Sequence, residues 1–264
     1  MSALPLPDSV VLVQRSQPEL LVQVIADQLE IALRRRLEQH RPRPLGLATG
    51  RTMEPLYAAL VSRLRRWSAA DLQRLRKSWL SFNLDEYVGL PARHPASFAF
   101  YMQQHLGEAL GLSSAQMRLP DGMAPDPSRE ARSYANAVMA AGGIGLQLLG
   151  LGTNGHVGFN EPPSDRDAAC RCVDLSWATR VQNADAFSGD PALVPTQAIT
   201  LGLAEILAAE EIHLIVTGAA KADILRRAFA QGSDAGCPAS WLRHHHRVHL
   251  WVDDAALGTV MATC

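Results

Sequence analysis

A polar loop in the second half of the chain carries groups that can move protons. Residues 150–163 hold His156 and Glu161 directly after the apolar run 144–149. A histidine with a carboxylate partner is a proton-transfer unit, because the partner fixes the tautomer and the basicity of the imidazole. An isolated histidine is more often structural. The glycine-rich sequence around His156 and its position after a buried strand favour a catalytic role.

Two adjacent carboxylates, Asp85 and Glu86, follow the apolar stretch 79–84. Neighbouring like charges raise the pKa of one partner, as a general base working near neutral pH requires. Because side chains alternate across a strand, we expect one of the two to face a cleft. A solvated turn is the alternative interpretation.

Three further groups are suited to an anion. The loop 48–52 runs from a predicted strand into a predicted helix, where backbone N–H groups and the helix dipole favour phosphate. Lys221 follows another strand, at a helix start that disfavours a cation unless an anion is bound there. Arg180 is a third candidate cation. A tight turn and ordinary surface charges are the alternatives, whereas a sugar phosphate would fit all of these groups.

The elements that position these loops alternate between short apolar runs and longer amphipathic segments. This alternation predicts an α/β protein with a three-layer Rossmann-like fold, in which a mostly parallel central sheet carries helices on both faces. Ligands bind beyond the carboxyl ends of such strands. We expect one domain over residues 1–264. The predicted strands are 10–14, 45–48, 79–84, 144–149, 171–175, 212–216 and 248–252, and the predicted helices are 19–39, 54–66, one from Ser68, 97–110, 128–141, 201–208 and 221–229.

Composition excludes several classes of function. The chain has 264 residues with 25 basic and 26 acidic side chains, so it lacks the positive charge that nucleic acid requires. It has neither the roughly 18 consecutive apolar residues of a membrane span nor a signal-peptide pattern, so we expect a soluble, cytoplasmic protein without a membrane partner. The four cysteines are expected to be reduced. Three consecutive histidines, 244–246, cannot all face one ion, and we expect no metal site.

Six segments carry distinctive motifs: LGLATG at 45–50, FNLDEYVGL at 82–90, GTNGHVGFNEP at 152–162, TRV at 179–181, VPTQAIT at 194–200 and TGAAK at 217–221. In this order they resemble the glucosamine-6-phosphate deaminase family, and the match runs over nearly the whole chain. The N-E-P and D-E-Y-V-G-L-P elements are specific to the deaminase branch, and the related 6-phosphogluconolactonases typically lack them.

The resemblance implies that glucosamine 6-phosphate and water are converted to fructose 6-phosphate and ammonia, without a metal or redox cofactor. It implies that Asp85 moves the C2 proton of the opened sugar to C1, and that His156, paired with Glu161, opens the ring. Asn154 stands where some members carry an aspartate that completes a triad with the histidine. The positions that match the phosphate contacts of the family are Thr49, Gly50, Thr52, Arg180 and Lys221, to which Arg51 could add a contact.

Departures from the family pattern bear on substrate and regulation. Arg51 and Met53 replace a small residue and a proline that are often seen in the phosphate loop. Val173 stands at one basic position of the members that N-acetylglucosamine 6-phosphate activates, and we expect no such activation. Galactosamine 6-phosphate deamination and 6-phosphogluconolactone hydrolysis remain alternative reactions, and a sugar-phosphate sensor is a non-enzymatic alternative. The oligomeric state is left open.

Overall fold

The computed structural model describes residues 4–39 and 42–258. Seven strands form one parallel sheet, in the order β1-β10-β9-β6-β2-β3-β5. The predicted parallel sheet is therefore confirmed. The strands of the chain are β1 (Val10–Arg15), β2 (Leu45–Leu47), β3 (Ser81–Asn83), β4 (Asp85–Tyr87), β5 (Met117–Arg118), β6 (Leu146–Gly150), β7 (Arg171–Asp174), β8 (Gln197–Thr200), β9 (Glu211–Val216) and β10 (Val248–Asp253).

Helices surround the parallel sheet. Ser68 starts one of them as predicted, because its hydroxyl accepts a hydrogen bond from the N–H of Asp71. A π-helical turn, Gln103–Gly107, joins the helix Phe98–Met102 to the helix Glu108–Leu110, so the three form one continuous segment. The helices are α1 (Pro18–Leu37), α2 (Met53–Leu64), α3 (Ala69–Ser78), α4 (Phe98–Met102), α5 (Glu108–Leu110), α6 (Pro127–Ala140), α7 (Trp177–Asn183), α8 (Leu203–Leu207) and α9 (Ala222–Ala230), with 3₁₀ segments at Ala184–Phe187, Ala219–Lys221 and Pro238–His244.

A second sheet was not predicted. Strands β4, β8 and β7 pair antiparallel in that order. They are three or four residues long and contain many polar side chains, so they lack the apolar runs by which strands are recognised in sequence. The predicted strand at 171–175 exists, but it belongs to this small sheet.

One residue carries the chain from the first sheet to the second. The N–H of Leu84 donates to the carbonyl of Leu47 at the end of β2, and its own carbonyl accepts from the N–H of Leu201, just after β8. Asp85, which begins β4, is therefore displaced from the central sheet while staying at its carboxyl edge.

Two apolar clusters stabilise the two sheets. The larger one packs the buried face of α1, with Leu21, Ile25 and Leu29, against the parallel sheet. The smaller one centres on Tyr87, whose ring lies 4.7 Å from Phe98, 5.6 Å from Phe159 and 5.6 Å from Phe187. These aromatic contacts join β4 to three separate segments of the chain.

Two expectations from composition are tested in part. No helix among residues 4–39 and 42–258 is long and apolar enough to cross a membrane. Cys170, Cys172 and Cys237 are free thiols, as expected, and Cys264 lies outside the described residues.

Gly122 supports β4 by close approach. A Cβ atom at Gly122 would lie 2.2 Å from the carbonyl oxygen of Tyr87 and 3.0 Å from that of Leu90. Since both contacts are with backbone, Gly122→Ala should lower the free energy of unfolding by about 1–3 kcal/mol, a typical cost of overpacking. Urea unfolding measures this change. Gly232→Ala is the matched control, because a Cβ there meets nothing within 4 Å, and equal stability of the two variants would contradict the prediction.

Candidate active site

A cavity of about 660 Å³ lies at the carboxyl edge of the parallel sheet, beside the small sheet. The loops after β2, β3 and β6 reach it, as does the 3₁₀ turn after β9. Seven of the ten residues selected from the sequence line this cavity, whereas Asn154, Glu161 and Arg180 are not among its lining residues. The seven are Thr49, Gly50, Arg51, Thr52, Asp85, His156 and Lys221.

Asp85 is a buried carboxyl group facing the cavity. Burial and, as the smaller cause, the negative charge of Glu86 together raise its pKa to about 8. The like-charged neighbour predicts this direction from sequence, but loss of solvation is the larger cause. At neutral pH Asp85 can therefore both accept and release a proton.

Glu86 faces away from the cavity, as the alternation of side chains along a strand predicts. Its carboxylate accepts hydrogen bonds from the N–H groups of Tyr87 (2.9 Å), Phe98 (3.0 Å) and Ala99 (2.8 Å). Two of these N–H groups belong to the first turn of α4 and have no partner within the helix. Glu86 thus fixes β4 to α4, and Asp85 alone of the pair lines the cavity.

Asn154 sets the tautomer of His156. Its Oδ1 lies 2.6 Å from the ring Nδ1 and accepts from the backbone N–H of His156 at 3.2 Å. Because a backbone N–H only donates, the atom facing the ring is an oxygen, and Nδ1 must carry the proton. Nε2 of the neutral ring therefore keeps its lone pair. Burial lowers the pKa of His156 to about 4; Glu161 acts to raise it and Lys221 to lower it.

Glu161 does not form the expected hydrogen bond with His156 among the described residues. Its carboxylate accepts from the N–H of Ser176 (3.0 Å), the Ser176 hydroxyl (2.7 Å) and the Thr179 hydroxyl. Burial acts to raise the pKa of Glu161, but these hydrogen bonds and the nearby imidazole hold it below its ordinary value. The carboxylate at the start of α7 therefore acts on His156 through its charge, and Asn154 is the hydrogen-bond partner.

Asn160 attaches this loop to the joint between the two sheets. Its amide nitrogen donates to the carbonyls of Val157 (3.0 Å) and Leu201 (2.9 Å), and its oxygen accepts from Arg171 (2.9 Å). The buried amide is thus hydrogen-bonded on both sides. The loop of His156 is held in this way against the segment that also binds Leu84.

A corner of the cavity that is suited to an anion lies where the loop 48–52 enters α2. Gly50 has φ 105°, a conformation that glycine adopts without strain. Lys221 reaches the cavity from the turn after β9; burial lowers its pKa, and the charge of Arg51 lowers it further. Two cations next to exposed N–H groups at a helix start form a suitable site for a phosphate.

The mouth of the cavity is crossed by an ion pair. Nη1 of Arg51 lies 3.1 Å from Oδ2 of Asp185, and both side chains are largely exposed. Asp185, Gln182 and Asn183 line the cavity without having been selected from the sequence. They belong to α7 and the turn after it, a region where the sequence analysis identified no element and therefore no cavity wall.

Arg180 is not brought to the cavity. Its guanidinium donates to the carbonyls of Val194 and Ala192, each at 3.1 Å, and lies 5.2 Å above the Trp177 ring. Arg180 is not among the residues that line the cavity, and its expected contact with an anion stays a prediction. The face of α7 on which Arg180 lies could not be predicted from the sequence, because the helix itself was not predicted.

The family model for glucosamine-6-phosphate isomerases and 6-phosphogluconolactonases matches residues 16–251. The chain belongs to this family. It is 43% identical over 212 residues to the glucosamine-6-phosphate deaminase of Streptomyces avermitilis, covering 80% of this chain and 79% of the relative. The deaminase of Shouchella clausii is 40% identical over 223 residues, covering 84% and 87%.

Solved structures agree with this family assignment. A monomeric glucosamine-6-phosphate deaminase superposes with a TM-score of 0.84 at 32% identity, covering 94% of this chain and 99% of its own. The 6-phosphogluconolactonase of Trypanosoma cruzi has a TM-score of 0.73 at 19% identity, covering 96% and 97%. At that identity the likeness concerns the fold alone.

Gly152 provides a test of the imidazole's placement. A Cβ atom at Gly152 would lie 2.3 Å from His156 ring atoms, whereas one at Gly150 meets no atom nearer than 3.9 Å. Gly152→Ala should displace the ring towards solvent and raise the pKa of His156 from about 4 towards that of a free histidine. Nitrogen NMR during a pH titration measures this value. Gly150→Ala should leave it unchanged, and an unshifted titration in Gly152→Ala would show that the ring is not packed there.

Proposed function

We propose that this protein is a glucosamine-6-phosphate deaminase, which converts glucosamine 6-phosphate and water to fructose 6-phosphate and ammonia. The observation that carries the proposal is a buried carboxyl with a raised pKa, Asp85, lining the same cavity as the neutral imidazole of His156 and the corner suited to an anion. The deaminases at 40–43% identity over most of the chain support the same reaction.

The substrate phosphate would bind where α2 begins. Backbone N–H groups of the loop 48–52 and the hydroxyls of Thr49 and Thr52 supply donors, and Lys221 and Arg51 supply positive charge. Arg51 would exchange Asp185 for the phosphate, since both bind the same guanidinium. We leave Arg180 out of this set, because it would first have to release two carbonyl groups.

His156 would open the pyranose ring. Its Nε2 lone pair can accept the proton of the C1 hydroxyl and return it to the ring oxygen, which breaks the C1–O5 bond and leaves an aldehyde. Asn154 keeps Nε2 available, and the nearby negative charge of Glu161 favours the transient imidazolium. The low pKa of the resting imidazole makes it a ready proton donor in the second half of this step.

Asp85 would then transfer a proton between carbons. As a carboxylate it removes the C2 proton of the open-chain sugar and returns it to C1. One proton of the C2 ammonium group passes to the C1 oxygen, so the aldehyde becomes an alcohol and C2 becomes an iminium group. Water adds at C2 and ammonia leaves, giving the ketose. A base with a pKa near 8 is well matched to this task at neutral pH, because it is basic enough to accept the proton and can release it again.

A direct assay tests the proposal. Purified protein is given glucosamine 6-phosphate, galactosamine 6-phosphate or 6-phosphogluconolactone, and ammonia, ketose phosphate and lactone loss are measured in each. Equal release of ammonia and fructose 6-phosphate from the first substrate is expected. Turnover of the galactosamine epimer or the lactone alone would overturn the glucosamine assignment while retaining the phosphate site.

Asp85→Asn should lower kcat by about 10²- to 10⁴-fold, the usual contribution of a general base, while KM changes little. The amide keeps the shape of the side chain but cannot accept the C2 proton. Steady-state kinetics provide the measurement, with the exposed Asp167→Asn as control. A variant with normal turnover would exclude Asp85 as the base.

Thermal unfolding distinguishes loss of the base from loss of the fold in the same variant. The pKa of Asp85 is higher when folded, about 8, than when unfolded, about 3.8. Between pH 3.8 and about pH 8, folding therefore takes up a proton at Asp85. The contribution of Asp85 to the stability of the folded protein is lost as pH rises through this range. Asn does not ionise, so Asp85→Asn should have a higher Tm than the unmodified protein at pH 8. At pH 5 the difference in Tm between the two proteins should be smaller.

Lys221→Ala should raise KM for glucosamine 6-phosphate roughly 10- to 100-fold, as expected for loss of a charge-assisted hydrogen bond to phosphate. The effect on kcat should be smaller, because Lys221 lies at the phosphate end of the cavity. Steady-state kinetics check this, with the exposed Lys77→Ala on α3 as control. An unchanged KM would place the phosphate elsewhere.

A further inference from the structure

Three potential metal ligands meet at the amino ends of β9 and β10, on the opposite side of the parallel sheet's strand ends from the cavity. Glu211 is the first residue of β9, His213 follows on the same face, and His249 is the second residue of β10. His213 and His249 are paired in the strand register, and their rings stack with centroids 4.6 Å apart at 29°. The sequence pattern places His249 in an ordinary strand, and the expectation of no metal rests on the histidines 244–246, because the pairing of β9 with β10 is not visible in the sequence.

The spacing of the three residues suits one metal ion better than it suits hydrogen bonds. Glu211 Oε1 lies 3.7 Å from His213 Nε2, and Glu211 Oε2 lies 3.9 Å from His249 Nε2. The three ligand atoms all fall within 4.8 Å of one another. Both measured distances exceed a normal hydrogen bond. Ligands about 2.0–2.1 Å from a tetrahedral Zn²⁺ are roughly 3.4 Å apart, so small side-chain movements would close this site.

His213 supplies a second, independent observation. Its side chain is 5% exposed, and its Nε2 is buried without a hydrogen-bond partner among the described residues. A buried polar atom of this kind is uncommon and indicates an additional partner. The atom points at the oxygen of Glu211, into the space between the three residues.

We propose that Glu211, His213 and His249 bind a divalent transition-metal ion such as Zn²⁺, with water completing the coordination. Two imidazoles and one carboxylate are a known ligand set for this ion. The ion would connect β9 to β10 at their amino ends, far from the catalytic loops. The site is independent of the proposed deaminase activity.

Two neighbours compete with the ion. The indole Nε1 of Trp251 donates to His213 Nδ1 at 3.2 Å, so without metal the His213 proton resides on Nε2. Coordination through Nε2 moves that proton to Nδ1 and breaks the indole hydrogen bond. Arg247 lies 3.7 Å from Glu211 Oε2, but its side chain is mostly exposed and can turn to solvent. Metal binding should therefore change the environment of the Trp251 indole, and so its fluorescence.

Calorimetric titration of Zn²⁺ into tag-free, chelator-treated full-length protein tests the site. One ion per chain is expected, together with a change in tryptophan fluorescence. His249→Ala and Glu211→Gln should each weaken binding by more than the roughly 10- to 100-fold typical of outer-shell changes. Trp251→Phe should tighten binding, because it removes the donor that opposes the required tautomer. If the cluster were purely structural, the change in Zn²⁺ affinity would not be opposite in sign for Trp251→Phe and for the two ligand variants.

The exposed His244 and His246 provide the control for adventitious binding. The double variant His244→Ala/His246→Ala should bind Zn²⁺ as the unmodified protein does. Co²⁺ added to the unmodified protein should give the intense visible absorption of a tetrahedral site, a result that does not depend on any variant folding. Absence of Zn²⁺ binding, binding that survives His249→Ala, or binding lost in the double variant would each overturn the proposal.

Discussion

The structure depends on keeping one carboxyl group, that of Asp85, away from water. Burial makes the ionised form costly, and this cost raises the pKa of the group to the range that the proposed proton transfer between carbons requires. Such a position has to be stabilised by its surroundings. Glu86 fixes the strand to α4, Gly122 allows a close backbone approach, and the aromatic cluster around Tyr87 covers the strand.

The same loss of solvation acts in opposite directions on the pKa values of Asp85 and His156. It raises the pKa of Asp85 and lowers that of His156, so both groups tend towards their uncharged forms before substrate binds. Positive charge is instead concentrated on Lys221 and Arg51. Under the proposed function, the cavity would separate a region that binds phosphate from a region where protons move, which suits a substrate with a phosphate at one end and reacting carbons at the other.

The sequence predicted the parallel sheet and most of its helices, because these elements carry clear apolar periodicity. It also selected seven of the residues that line the cavity, since glycines, carboxylates and cations at strand ends are locally visible. The small sheet and α7 were not predicted, as their segments are short and polar. The hydrogen-bond partners of Glu161, which are Ser176 and Thr179, lie in that region, and so does Arg180. These two details could therefore not be obtained from spacing along the chain.

Asp85 and His156 are positioned by different sheets. The carboxyl belongs to the small antiparallel sheet and the imidazole to the loop that leaves the parallel one, and the two meet through the backbone contacts of Leu84, Leu201 and Asn160. The relative placement of Asp85 and His156 therefore depends on these contacts between the two sheets and not on either segment alone. A small rotation of one sheet against the other would shift the two side chains relative to each other. Evolution could in this way retune the geometry for a differently shaped sugar while leaving every residue that touches it unchanged.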